Sequence, residues 1–198
     1  MKKFELTTES ITNEAGKKLF RIKALIDFGD VKAGEPGGYV EKEGNVSQDD
    51  NAWVSGDAEV FGNAKVSGNA KVFGNAKVYD NAWVSGDAKV YDNARVYDNA
   101  RVSGNAWVSG NARVSGDARV SGDADYALVQ GFGTEFRCTT FYRGKNKKIM
   151  VNCGCFHGDL EGFRKQVKET RNGKIAKEYL MIADLMEYHF TSEDSSNE

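Results

Sequence analysis

From Asn51 to Gly122 the chain repeats one hexad, [ND]-A-x-V-[SFY]-[GD], twelve times without an insertion. Alanine fills the second place from Ala52 to Ala118, and valine the fourth from Val54 to Val120. A degenerate copy, DADYAL, follows, and Gly38-Tyr39-Val40 and Gly44-Asn45-Val46 read as two worn copies upstream. A strict period of six fits no helical seam. Alanine and valine two apart share one face of a strand, and the residues flanking valine share the other. The Gly/Asp–Asn/Asp pair then supplies a turn with positive φ. Three strand–turn units close a triangular coil of eighteen residues. Stacked at about 4.8 Å per coil, four strict coils make a prism about 19 Å tall. Asn63, Asn81 and Asn99, and likewise Asn75, Asn93 and Asn111, fall eighteen apart and are placed for amide ladders.

The alternation of an aliphatic residue with a small one four places later, as in Val54 to Ala58 and Val60 to Ala64, resembles the bacterial transferase hexapeptide superfamily. That resemblance implies a left-handed parallel β-helix. The stretch LFRIKALIDFGDVKAGEPGGYVEKEGNVSQDDNAWV is similar to the opening of hexapeptide-repeat proteins of enteric bacteria and prophages. The ending, VNCGCFHGDLEGFRKQV with KEYL, is similar to a small C-terminal domain of phage-encoded proteins. The resemblances span nearly the whole chain and imply a phage or prophage setting, with a host protein, such as a component of a defence system, as target. They imply no reaction.

A β-helix has two open ends that need covering. Residues 4–26 read as two strands about a turn near Asn13 to Gly16. EFRCTTFY and KKIMVNCG read as a hairpin about Lys145 and Asn146. DLEGFRKQVKET offers Asp159 as N-cap, with Leu160, Phe163 and Val167 on one helical face. A second helix over 174–190 carries Ile175, Tyr179, Ile182 and Met186. The expected fold is mainly β: an N-terminal β cap (1–37), a hexapeptide-repeat β-helix (38–128), a small C-terminal α+β domain (129–190) and a disordered acidic tail (191–198).

The 27 basic and 29 acidic residues of this 198-residue chain leave a net charge of −2, so bulk charge points to neither nucleic acid nor a membrane surface. No stretch approaches 18 apolar residues, and no apolar run follows the two lysines of MKKFELTTES. Three cysteines, clustered late, do not describe a disulfide-stapled secreted domain. A cytoplasmic protein is expected, in the host cell if phage-encoded.

Two chemistries are conceivable for a chain of this composition. An acyl-CoA-dependent transferase of the hexapeptide type needs a general base, yet the array holds no histidine and no loop between coils. His157 and His189 lie downstream. A Cys₃His zinc site would need Cys138, Cys153, Cys155 and His157 to converge. A hairpin centred between residues 145 and 146 would set Cys138 opposite Cys153, but Gly154 and Gly158 mark a turn that breaks the alternation. Buried cysteine as a small hydrophobe is the competing reading. No cofactor and no catalytic residue are expected.

The outward residues are more informative. One face carries Trp53, Phe73, Tyr91 and Trp107, and a second carries Phe61, Tyr79 and Tyr97, with lysine and arginine between them. The third is lined by Ser67, Ser85, Ser103 and Ser121. Aromatic side chains in register on a flat surface are typical interface anchors. Three readings remain open: homo-oligomerisation as a dimer or trimer, binding of another macromolecule, and local stacking reinforced by cation–π contacts. Eight basic and eight acidic residues between Asn51 and Asp123 weaken a nucleic-acid reading. The expectation is a non-catalytic protein that binds a protein partner through these seven aromatics, with Trp53, Phe73, Tyr91 and Trp107 forming one continuous strip about 15 Å long. An acyltransferase-like enzyme is the alternative.

Overall fold

The structure is a computed structural model and describes residues 2–145 and 147–191. Apart from Thr191, the predicted tail lies outside the described residues. The chain divides into two compact units, Met1–Asp123 and Ala124–Glu198.

The first unit opens with an antiparallel hairpin, β1 (Phe4–Thr12) and β2 (Lys18–Ala24). Asn13 makes its turn: the side-chain Oδ1 accepts from the backbone N–H of Ala15 and of Lys17, each at 3.0 Å. Strand β3 (Pro36–Val40) pairs antiparallel with β2 and then parallel with the first turns of the prism. Gly37 and Gly38 are required at this entry. A Cβ on Gly37 would lie 2.5 Å from Ile22 Cγ1, and one on Gly38 2.7 Å from the Ala58 carbonyl.

Each hexad contributes one two-residue strand. Strands β4 (Trp53–Val54), β7 (Lys71–Val72), β10 (Lys89–Val90) and β13 (Trp107–Val108) form the first face. Strands β5 (Glu59–Val60), β8 (Lys77–Val78), β11 (Arg95–Val96) and β14 (Arg113–Val114) form the second, and continue β1–β3 into a seven-stranded sheet. The third holds β6 (Lys65–Val66), β9 (Trp83–Val84), β12 (Arg101–Val102) and β15 (Arg119–Val120). All pairing within the prism is parallel, Val over Val. The worn copies take part as read: Val40 pairs with Val60 and Val46 bridges to Val66.

The strands are short, yet the ladder runs through them. The N–H of the first, third and fifth places donates to the next coil, as Asn51 to Gly68, Trp53 to Ala70 and Ser55 to Val72 at 2.9–3.0 Å. Alanine and valine of the hexads are at most 1% exposed and fill the core. From Gly56 to Gly116 the sixth place is left-handed, with φ of 66° at Gly56 and 58° at Asp92 and Asp98. Aspartate there carries a steric cost of roughly 1 kcal/mol. It recovers a bond in exchange: Asp92 and Asp98 accept from the N–H of Gly110 and Gly116 at 3.1 and 3.0 Å. Of the predicted ladders, the first forms through both steps, Asn63 donating to Asn81 at 3.2 Å and Asn81 to Asn99 at 3.4 Å, and the second through its first step, Asn75 to Asn93 at 3.4 Å.

The open first coil is closed by Lys3 and Gln48. Lys3 is 2% exposed; its Nζ donates to the carbonyls of Ala52, Asp49 and Asp50 at 2.9, 3.2 and 3.3 Å. Burial pulls its ammonium down to about 8, against the opposing pull of Asp50 and Asp49.

The second unit is an antiparallel meander, β16 (Tyr126–Phe132), β17 (Arg137–Arg143), β18 (Ile149–Cys153) and β19 (Phe156–Asp159), followed by α1 (Leu160–Thr170) and α2 (Gly173–Thr191). The sequence boundary at 128/129 falls inside β16. Asp159 caps α1, accepting from Gly162 N–H at 2.9 Å, and Leu160, Phe163 and Val167 are buried as their spacing predicts. Tyr179, Ile182 and Met186 of α2 meet them, joined by Ala183 and Phe190.

Candidate binding faces and the cysteine turn

The third and fifth places of a hexad flank the inward valine, so each face presents two columns side by side rather than one. On the first face the third-place column runs Trp53, Lys71, Lys89, Trp107. Phe73 and Tyr91 stand in the neighbouring column, stacked at 4.9 Å and 3°. The continuous four-residue strip expected from the sequence is therefore two separate features, because residues two apart on a strand point outward beside each other and never above one another.

Trp53 is not at the surface. It is 4% exposed, with Phe28 and Phe4 edge-on at 5.3 and 6.2 Å. Its Nε1 finds no hydrogen-bond partner among the described residues. Lys71 below is held by Asp30 at 2.7 Å. At the other end of the column Trp107 is 46% exposed and carries Lys89 Nζ at 4.2 Å from its ring.

On the second face Phe61, Tyr79 and Tyr97 form one continuous stack, 5.0 Å and 3° at each step. Phe61 is 9% exposed and packs with Leu19 and Tyr39 beneath the N-terminal hairpin. Burial first, and then the neighbouring Tyr97, push the Tyr79 phenol up to about 12. Beside them Glu59 is buried and held by Asn13 at 3.2 Å and Lys77 at 3.1 Å.

The third face also carries a tryptophan. Trp83 is 42% exposed, donates from Nε1 to Ser67 Oγ at 3.0 Å, and has Arg101 at 5.5 Å from its ring. Sequence reasoning passed over it because its fifth-place neighbours are serines. The signal was present: Trp83 occupies the same third place as Trp53 and Trp107.

Charge is segregated rather than mixed. Every lysine and arginine of the hexads, from Lys65 to Arg119, stands in a third place at the middle of a face. Of the acidic residues, Glu59 alone shares that place; Asp57, Asp80, Asp87, Asp92, Asp98 and Asp117 occupy the turns. Equal totals hide basic faces edged by acidic corners.

In the second unit the hairpin register corrects the sequence reading by one residue. Thr139 pairs with Cys153 and Arg143 with Ile149, so Cys138 does not face Cys153 but lies on the other side of β17. Cys153 packs on the helix side, whereas His157 pairs with Asn152 and sits 3.1 Å from the Tyr142 hydroxyl. Gly154, at φ 62°, and Cys155 form the turn between β18 and β19. The four groups do not converge, and no cluster of three such metal ligands occurs among the described residues. Among the described residues, too, no helix is long and apolar enough to cross a membrane.

Comparison with known proteins agrees with this architecture. A family model described as the YdcK β-solenoid repeat matches residues 88–104, 94–110 and 112–124. The comparison with curated proteins gives no match. The matched segments lie in the later coils of the prism, and with the observed coil-to-coil pairing they make the chain a β-solenoid repeat protein.

Proposed function

We propose that this chain is a non-catalytic binding protein that engages a protein partner through the uncovered part of its solenoid faces. The observation that carries this reading is the pair Trp83 and Trp107, 42% and 46% exposed on rigid sheets with cationic neighbours over their rings. Burying such a side chain contributes roughly 1.5–3 kcal/mol, and tryptophan beside arginine or lysine is the composition of an interface centre. The likeness of the flanking segments to phage and prophage proteins supports a host protein, of a defence system, as that partner, met in the host cytoplasm. Assembly of the chain into dimers or trimers through the same faces is compatible with this role. Nothing observed favours the acyltransferase alternative over it.

The test compares wild type with Trp83→Ser/Trp107→Ser in two assays. In quantitative affinity capture from host lysate, the proposal expects one protein recovered stoichiometrically by wild type and lost with the double variant, while the melting temperature stays within a few degrees. Robust CoA-dependent acetyl transfer to amines or sugars by wild type, abolished by His157→Ala, overturns it in favour of an enzyme.

A further inference from the structure

The second unit carries a site that owes nothing to the solenoid faces. Cys153 ends β18, pairs with Phe156 and leaves only Gly154 and Cys155 in the turn. Glycine with positive φ at the first of two turn residues is the signature of a tight type II′ hairpin turn. Both cysteines line one small cleft, together with Arg137, Arg171 and Tyr179, whose cavity volume is about 60 Å³. Residues i and i+2 of an extended chain stand at most about 7 Å apart at Cα. A two-residue turn shortens that separation towards the about 4.4–6.8 Å that a disulfide spans.

We propose that Cys153 and Cys155 form a redox-active dithiol that reduces small acidic disulfides meeting Cys155 at the mouth of this cleft. The two sulfurs are unequal in the way such a pair requires. Cys155 is exposed and able to meet a disulfide from solution. Cys153 is half-buried, and its sulfur accepts a hydrogen bond from the Thr139 hydroxyl at 3.1 Å. The Tyr179 hydroxyl, which donates to the Phe132 carbonyl at 3.2 Å, lies against the same sulfur.

Arg137 lies across the turn so closely that a Cβ on Gly154 would meet its Nη1 at 2.5 Å. The positive φ of the turn is what makes glycine the residue between the cysteines, and the mobile Arg137 guanidinium rests over it. Arg171 lines the same cleft. Glu135 is also there, 4.0 Å from Arg137, so two cations against one anion leave the cleft net positive and suited to a carboxylate-bearing disulfide.

The chemistry is thiol–disulfide exchange. The Cys155 thiolate attacks one sulfur of RS–SR, forming a mixed disulfide and releasing one RS⁻. The Cys153 thiolate then attacks the Cys155 sulfur, closes the Cys153–Cys155 bond and releases the second RS⁻. The two protons shed by the cysteines end on the two released thiols. The protein dithiol is oxidised by two electrons and the substrate disulfide is reduced by two.

The full-length protein is equilibrated with glutathione and glutathione disulfide, quenched by alkylation and mapped by mass spectrometry. Wild type is expected to close a Cys153–Cys155 disulfide while Cys138 is alkylated. Cys153→Ser should trap glutathione on Cys155, and Cys155→Ser should give neither product. Because Cys155 is exposed, its replacement tests the pair without disturbing the core. Arg137→Gln/Arg171→Gln should slow the reaction with glutathione disulfide roughly tenfold, and leave that with neutral bis(2-hydroxyethyl) disulfide unchanged. The proposal is overturned if wild type stays fully reduced across the series, or if Cys138 oxidises in place of the pair. It is overturned equally if the arginine variant slows both disulfides alike.

Discussion

Trp53 and Trp107 occupy the same place of the same motif in the same column of one face, and their surroundings are opposite. Trp53 is enclosed by Phe4 and Phe28, which the N-terminal segment folds over the first coil. Trp107, three coils along, faces solvent with a lysine on its ring. Phe61 and Tyr97 repeat the contrast more mildly along the second stack. A repeat dictates which side chains point outward; whether they are covered depends on chain outside the repeat. Trp53, near the start of the array, belongs to its closure, and Trp107, near the end, stays half-exposed.

This contrast is broken most directly by truncating both tryptophans. Trp53→Ala removes a large buried side chain and should cost about 3–5 kcal/mol. Trp107→Ala, half-exposed, should cost under about 1 kcal/mol. Chemical denaturation measures both, and equal losses would mean that the two ends are not differently covered.

The covered end should also respond to pH through Lys3. Its folded value, about 8, lies below the ordinary 10.5, so between those values the unfolded chain holds the extra proton. Stability attributable to Lys3 is therefore constant below about pH 8 and rises as the pH climbs towards 10.5, by up to roughly 3 kcal/mol. Wild type minus Lys3→Met, followed by urea midpoint across pH 7–11, isolates the effect. A difference that stays flat would show that burial does not pull the Lys3 ammonium below its ordinary value.

The smallest effect is expected at Phe73 and Tyr91. Phe73→Ser with Tyr91→Ser restores the serine already found at 55 and 109 and should cost about 1 kcal/mol, the worth of one stacked pair. If light scattering shows assembly size falling with that substitution while Trp107→Ser leaves it unchanged, the stack and not the tryptophan anchors the interface.

Much of this molecule was legible because a hexad leaves few choices. Inward Ala and Val, left-handed Gly or Asp and the asparagine ladders follow from period and side-chain size. So did the Asp159 cap and the apolar face of α1, since capping and helical spacing are local. The candidate interface was read less well. Columns two residues apart were merged into one strip, and Trp83 was passed over although the same period located it. The segregation of basic faces from acidic turns was likewise visible in residue positions and lost only when the charges were summed.

The sequence by itself determined the coil, its core and the identity of every outward column, because each residue's role there depends on neighbours six and eighteen places away. Only the tertiary structure decided that the N-terminal hairpin continues the second face, that Phe4 and Phe28 close over Trp53, and that Lys3 seals the open carbonyls of Asp49, Asp50 and Ala52. It alone set the β17–β18 register that separates Cys138 from Cys153 and leaves Cys153 and Cys155 lining one cleft. The physical reason is the same in each case. These contacts join segments with no shared period, and a shift of one residue turns every side chain of a strand to its opposite face.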